Sequence, residues 1–166
     1  MTELFSDVTP DSRGLLARRA IMALFAAVAL AALVGFIGQS ESTSAASTPS
    51  VRMTLSAPEQ VRGGLFFQSR VEIRALAPIE HPRLVLDEGW VEGMQVNSIE
   101  PAAESESSRD GRLVLSYGAL DAGDVLRVWL QFEVNPTNVG RRNYTLELDD
   151  GSRRLARIPR TLRVMP

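Results

Sequence analysis

Residues 126–134 read LRVWLQFEV, and their alternation decides the fold. Leu126, Val128, Leu130, Phe132 and Val134 fall on one side of an extended chain, Arg127, Trp129, Gln131 and Glu133 on the other. A period of two with one greasy side is the signature of a strand buried on one face and wet on the other. Downstream, NPTNVGRR is a turn-rich connection, Tyr144, Leu146 and Leu148 predict a second strand, and Asp149-Asp150-Gly151-Ser152 a hairpin turn. Residues 155–164 predict a final pair of strands interrupted at Pro159.

Upstream the same grammar holds. GALDAGD is a turn, and Leu113, Leu115 and Tyr117 alternate before it. Residues 101–111 are the most polar loop. Val51, Met53 and Leu55 alternate with Arg52, Thr54 and Ser56, and the turn-like APEQVRGG follows. Phe67, Val71, Ile73 and Ala75 then oppose Gln68, Arg70, Glu72 and Arg74, and Leu84 and Leu86 suggest another strand. Residues 87–89 make a turn, and residues 90–99 one or two short strands. Seven to nine short strands with no amphipathic helix between them predict an all-β, antiparallel Ig-like sandwich over residues 51–166.

Residues 20–38, AIMALFAAVALAALVGFIG, break this grammar: they carry no charge and, as a helix, cover about 28 Å, close to the hydrocarbon thickness of a bilayer. They predict a single transmembrane helix. Arg13, Arg18 and Arg19 precede it, whereas residues 39–50 hold Glu41 and no base, so the positive-inside rule makes residues 1–19 a cytoplasmic tail and sends the C-terminal domain outside. A cleaved signal peptide is the competing reading, with Ser44, Ala45 and Ala46 as a small-residue cleavage pattern. Its apolar core usually runs about 7 to 15 residues, shorter than this one. Arg18-Arg19 is a twin arginine with poorly matching neighbours. Residues 39–50, QSESTSAASTPS, have no large apolar side chain and predict a flexible linker. Ala23, Ala27, Ala31 and Gly35 recur every four residues, a ridge of small side chains that admits a second helix; a run this rich in alanine also produces that spacing by chance.

Composition narrows the function. The chain has 166 residues, a net charge of -2 and no cysteine. That leaves room for one ordinary domain beyond the span and gives no electrostatic reason to expect nucleic acid. Disulfides, thiolate nucleophiles and zinc-thiolate sites are excluded. All 18 basic residues are arginine, so Schiff-base and Ser-Lys chemistry are excluded too. Abundant alanine and arginine without lysine suit a high-GC bacterial source.

The passage GALDAGDVLRVWLQFEVNPTNVGRRNYTLEL, about a quarter of the domain, resembles the second half of bacterial Ig-like surface modules, in which a G-x-L-x-A-G-D turn feeds an alternating strand. The resemblance implies a sandwich that serves as a spacer, adhesion unit or accessory part of an envelope assembly. It implies no chemistry.

No catalytic constellation is legible. His81, the single histidine, sits before Pro82 in a loop and reads as a solvated side chain. Ser116 and Ser152 lack the glycines of a nucleophile elbow. Asp121, Glu147, Asp149 and Asp150 lack EF-hand spacing, so no metal or cofactor is expected. Asn143-Tyr144-Thr145 is a glycosylation sequon placed in a strand. Arg141, Arg142, Arg153, Arg154, Arg157, Arg160 and Arg163 crowd the last strands, where Glu147, Asp149 and Asp150 are expected to neutralise them across strands. Trp129 with Arg127 is the candidate partner contact if the indole is exposed, because Trp and Arg dominate interface hot spots; Trp90 is expected to be buried. The expected function is non-enzymatic: the domain binds a partner, another membrane protein, as an accessory subunit. The alternative is a structural or adhesive module against wall polymer or lipid.

Overall fold

The structure, a computed structural model, describes residues 12–33 and 40–166. The chain divides into two compact units between Gly38 and Gln39. In the first, one helix, α1 (Ser12–Leu33), begins eight residues before the expected span. Arg, Leu and Ala are strong helix formers, so the arginine flank is helical as well. Its apolar window runs over Gly14–Ala31 and none of it is buried. Ala23, Ala27 and Ala31 lie on it at helical spacing, while Gly35 and the rest of the expected span to residue 38 lie outside the described residues.

The second unit holds β1 (Glu41–Ser47), β2 (Val51–Pro58), β3 (Gln60–Arg62), β4 (Phe66–Ala75), β5 (Pro82–Leu86), α2 (Glu88–Val91), β6 (Met94–Glu100), β7 (Ser105–Arg109), β8 (Arg112–Ser116), β9 (Val125–Val134), β10 (Gly140–Asp150) and β11 (Arg153–Met165). One sheet runs β1-β2-β4-β9-β6, the other β3-β11-β10-β5-β8-β7. Every pair is antiparallel except β3 with β11. The two sheets pack as the sandwich that the alternation implied.

The strand that opened the analysis lies between β4 and β6, with Val128, Leu130, Phe132 and Val134 buried. Phe132 anchors an aromatic cluster with Phe67 and Trp90, at centroid distances of 5.3 and 5.1 Å, and Trp90 meets Tyr144 edge-on at 4.5 Å. Trp90 is buried, as expected, because α2 turns it inward and its Nε1 donates to the Thr145 carbonyl at 2.9 Å. Asp87 caps that turn, its Oδ1 accepting from the Gly89 amide at 3.1 Å. Gly89 lies so close to β10 that a Cβ there would clash with the Asn143 carbonyl oxygen.

Several expectations need correction: the described residues form eleven strands, not seven to nine, and Trp90 and Val91 belong to the helix α2, not to a strand. Residues 39–50 are not a tether throughout: Glu41–Ser47 forms β1, registered against Arg52–Pro58 of β2. Its side chains are too small and polar to signal a strand, and it is held by the backbone ladder to β2 and by polar contacts at Ser42 and Thr43. The turn-like APEQVRGG contains β3, and the polar loop contains β7, whose residues are all exposed. Residues 153–165 are one strand, not a pair. Pro159 is tolerated because β3 reaches only Arg163–Met165, so at Pro159 the strand has a ladder partner on one side only.

Arg160 points inward between Ile158 and Leu162. Its Nη1 donates to the carbonyls of Ser42 (2.9 Å) and Leu55 (3.3 Å), and its Nη2 to the carbonyl of Ala57 (3.1 Å) and to the Ser42 hydroxyl. A buried guanidinium is tolerable only with its donors occupied, and here backbone carbonyls of β1 and β2 occupy them. Arg160 thereby ties the second sheet to the edge strand of the first. Burial pushes the Tyr144 hydroxyl up to about 12, with Arg160 opposing that rise and Glu59 adding to it.

Candidate functional site

Trp129 and Arg127 share the outer face of the first sheet. Trp129 is half-buried, opposite Arg70 on β4 and Glu100 on β6, and lines a shallow dent with Glu41, Ser56, Gln68 and Arg70. Arg127 is exposed, and its Nε donates to Glu72 Oε2 at 2.9 Å, directly across the β4–β9 ladder. The two residues are therefore in different states. The indole offers a flat partly open surface, while the guanidinium is already engaged.

A second feature was not legible in the sequence. β6 ends one sheet and β7 ends the other, and between these free edges an open groove of about 470 Å³ is lined by Val91, Val96, Ile99, Leu113, Glu106 and Ser108, among others. Val91, Val96, Ile99 and Leu113 are partly buried and pack against the core from this side. β6 is irregular here, with a register shift between Val96 and Ser98. A bulge bends the strand and spreads its edge. Val91, Val96, Ile99 and Leu113 give the groove an apolar strip beside Asn97, Ser98, Glu106 and Ser108, and among the described residues neither rim has a further strand neighbour. No local signal could have found it, because it depends on which strands end the two sheets.

The arginines of the last strands separate by position. Glu147, buried on the outer face of the second sheet, forms ion pairs with Arg154 at 2.8 Å and Arg157 at 3.3 Å, with Arg112 at 3.9 Å. Asp150 meets Arg153 at 3.5 Å, and its Oδ1 accepts from the His81 amide at 2.9 Å. Asp149 lies 4.0 Å from Arg154, and burial, with the Glu147 carboxylate beside it, holds its carboxyl above the ordinary carboxylate range. The expected cross-strand neutralisation is thus present around Glu147. Arg141 and Arg163 instead face each other across the ladder, both exposed, and neither has a carboxylate within salt-bridge distance among the described residues.

The remaining candidates are dispersed. His81 is exposed and held by its backbone. Ser116 sits in β8 opposite Arg83, and Ser152 in the β10–β11 turn. Asp121 belongs to a separate turn, its amide donating to Asp124 Oδ2 at 2.9 Å. Among the described residues no three His, Cys, Asp or Glu side chains converge as a metal site. Asn143 is exposed in β10 and its Oδ1 accepts from the Thr161 hydroxyl at 2.9 Å.

No family model matches the chain, and no curated protein matches it. Among solved structures the chain is similar to the GAE domain of GGA2p from Saccharomyces cerevisiae, at 11% identity and a TM-score of 0.34, over 76% of this chain and 98% of that one. The sandwich described above rests on its own sheets, not on that likeness.

Proposed function

We propose that this is a non-enzymatic, single-pass membrane protein, N-terminus inside, whose Ig-like domain outside the cytoplasm binds a partner as an accessory subunit of a membrane protein assembly. The observation that carries the binding is the β6–β7 groove: a partly apolar floor between two strand edges that have no neighbour among the described residues accepts an extended segment, whose backbone continues a sheet while its side chains enter the floor. Anchoring is supported by α1, whose Ile21, Met22, Leu24, Phe25, Val28 and Leu30 are all exposed. Arg18 and Arg19 precede that apolar stretch and support the inward N-terminus.

The test is purification of the full chain from its own membranes in mild detergent. One membrane protein is expected at fixed stoichiometry, lost with Ile99→Arg in the groove. Parallel variants, Ala23→Leu with Ala27→Leu and Trp129→Ala, report whether the helix ridge or the outer face contributes. Recovery of the chain alone, or only with wall or lipid fractions, would displace this reading in favour of a structural or adhesive module.

A further inference from the structure

We propose that the end of the sandwich at which the chain enters is a lipid-facing surface that binds anionic headgroups through Arg62, Arg141 and Arg163 and inserts Leu65 and Val139 among them; this rests on the anchored reading above. The entry point is fixed by backbone contacts: the Glu59 amide donates to the Ser40 carbonyl at 3.4 Å, and the Arg163 amide to the Glu59 carbonyl at 2.9 Å. The same end carries the β3–β4 and β9–β10 turns. The Gly63 amide donates to the Met165 carbonyl (2.9 Å), the Gly64 amide to that of Val134 (2.8 Å), and the Val134 amide to that of Leu65 (3.1 Å). Gly63 abuts Pro136, where a Cβ would meet the carbonyl oxygen at 2.9 Å. The two turns are consequently close in space, whatever their separation in sequence.

Three facts single this end out. Leu65, Phe66 and Val139 are 47%, 54% and 51% exposed, Leu65 and Val139 in the β3–β4 and β9–β10 turns and Phe66 at the start of β4, large apolar side chains where a soluble domain more often places polar ones. On the adjoining outer face of the second sheet, Arg163 lies opposite both Gln60 and Arg141, and Arg62 lies opposite Met165, all three arginines exposed. Like charges directly across a ladder are destabilising, so the Arg141–Arg163 pair is a cost that an anion removes. Among the described residues no carboxylate lies within salt-bridge distance of these three arginines: Glu133 and Glu41 are on the first sheet, while Glu59, whose carbonyl accepts from the Arg163 amide, and Glu92, whose carbonyl accepts from the Asn138 side-chain amide at 3.4 Å, share this end without pairing with them.

Chain length selects the occupant. Residues 34–39 separate Leu33 of α1 from Ser40, and seven residue steps extend at most about 25 Å. Anchored by α1, the entry end has a lipid surface always within reach, whereas a soluble acidic partner would have to be recruited there. An anionic surface is worth about fivefold per arginine in the ratio of apposed to free domain, and the exposed apolar tips add to it.

The test uses the full chain in vesicles of phosphatidylcholine alone or mixed with phosphatidylglycerol. Because the protein has no cysteine, single labels report unambiguously. A fluorophore on Thr137→Cys, in the β9–β10 turn, is expected to be quenched by lipid-borne quenchers in the anionic vesicles only. One on Ser152→Cys, in the β10–β11 turn, is expected to be quenched in neither. Arg141→Gln with Arg163→Gln should lower the apposed ratio by roughly 25-fold, and high salt should do the same to the unsubstituted arginines without touching the fold. A label on Leu24→Cys reports the anchor. If it is quenched while Thr137→Cys behaves alike in both vesicles, lipid apposition is overturned and anchoring stands; if it is not quenched, both fall.

Discussion

Along the β10–β11 hairpin, the half beside Gly151 and the half beside Gly140 carry similar arginines in opposite surroundings. Next to the turn, Arg153, Arg154 and Arg157 close on Asp150 and on the buried Glu147. At the other end Arg141 and Arg163 confront each other in solvent. Between the halves Arg160 turns inward and is held by carbonyls of β1 and β2. One residue type thus serves three purposes: neutralisation, fastening of an edge strand, and an unsatisfied charge available to something outside the domain. What separates them is which strand faces each arginine.

Substitution of the middle arginine should have the largest effect. Arg160→Met leaves carbonyls of Ser42, Leu55 and Ala57 without the guanidinium donors, lowering the unfolding free energy by about 2–4 kcal/mol in denaturant titration. Hydrogen exchange should rise first in Glu41–Ser47. Unchanged protection of β1 would mean that the β2 ladder alone holds it.

Next comes the clamped half. Glu147→Gln removes the charge shared by Arg154 and Arg157; with those arginines about half exposed and screened by solvent, a loss of about 1–2 kcal/mol is expected in denaturant titration. A neutral result would show that the cluster is only a solvated surface network.

Asp149 gives a smaller effect with a definite sign. Its carboxyl is held above the ordinary range in the folded domain, so the folded state keeps this proton longer than the unfolded chain does. Stability from this group is therefore lost as pH rises from the ordinary carboxylate range through its raised folded value. Asp149→Asn should raise the melting temperature at neutral pH and have little effect in acid. A lower neutral melting temperature would show that its contact with Arg154 outweighs burial.

The smallest change is expected at the open half. Arg163→Glu turns a repulsive cross-strand pair into an attractive one and should gain about 0.2–1 kcal/mol. Increased stability together with weaker apposition to anionic vesicles would identify a charge kept for binding. A loss of stability would contradict the repulsion.

The sequence announced those parts of the fold whose strands bury large side chains alternately. Val51, Met53 and Leu55, Val71 and Ile73, Leu146 and Leu148 are all buried on the faces that their spacing assigned. β1 and β7 were invisible because ESTSAAS and SESSR bury no large side chain; they pair through their backbones with β2 and β8, β1 with the help of Arg160 at Ser42. Arg160 escaped notice for another reason: it shares the parity of Ala156, Ile158, Leu162 and Val164, but Pro159 reads as a break and hides the continuous strand that carries this alternation through residue 160. The candidate contacts divide in the same way. Trp129 was legible as a misfit on a polar face. The β6–β7 groove and the entry end were not, since each joins residues from distant strands.

Everything proposed about where the domain works depends on α1 remaining attached and on its direction. The direct measurement is labelling of intact cells with a membrane-impermeant maleimide, using Thr2→Cys and Ser152→Cys in the otherwise cysteine-free chain. The expected result is a full-length membrane-bound product labelled at residue 152 in intact cells, and at residue 2 only after lysis. A soluble product lacking its N-terminus, or the reverse labelling pattern, would contradict the account.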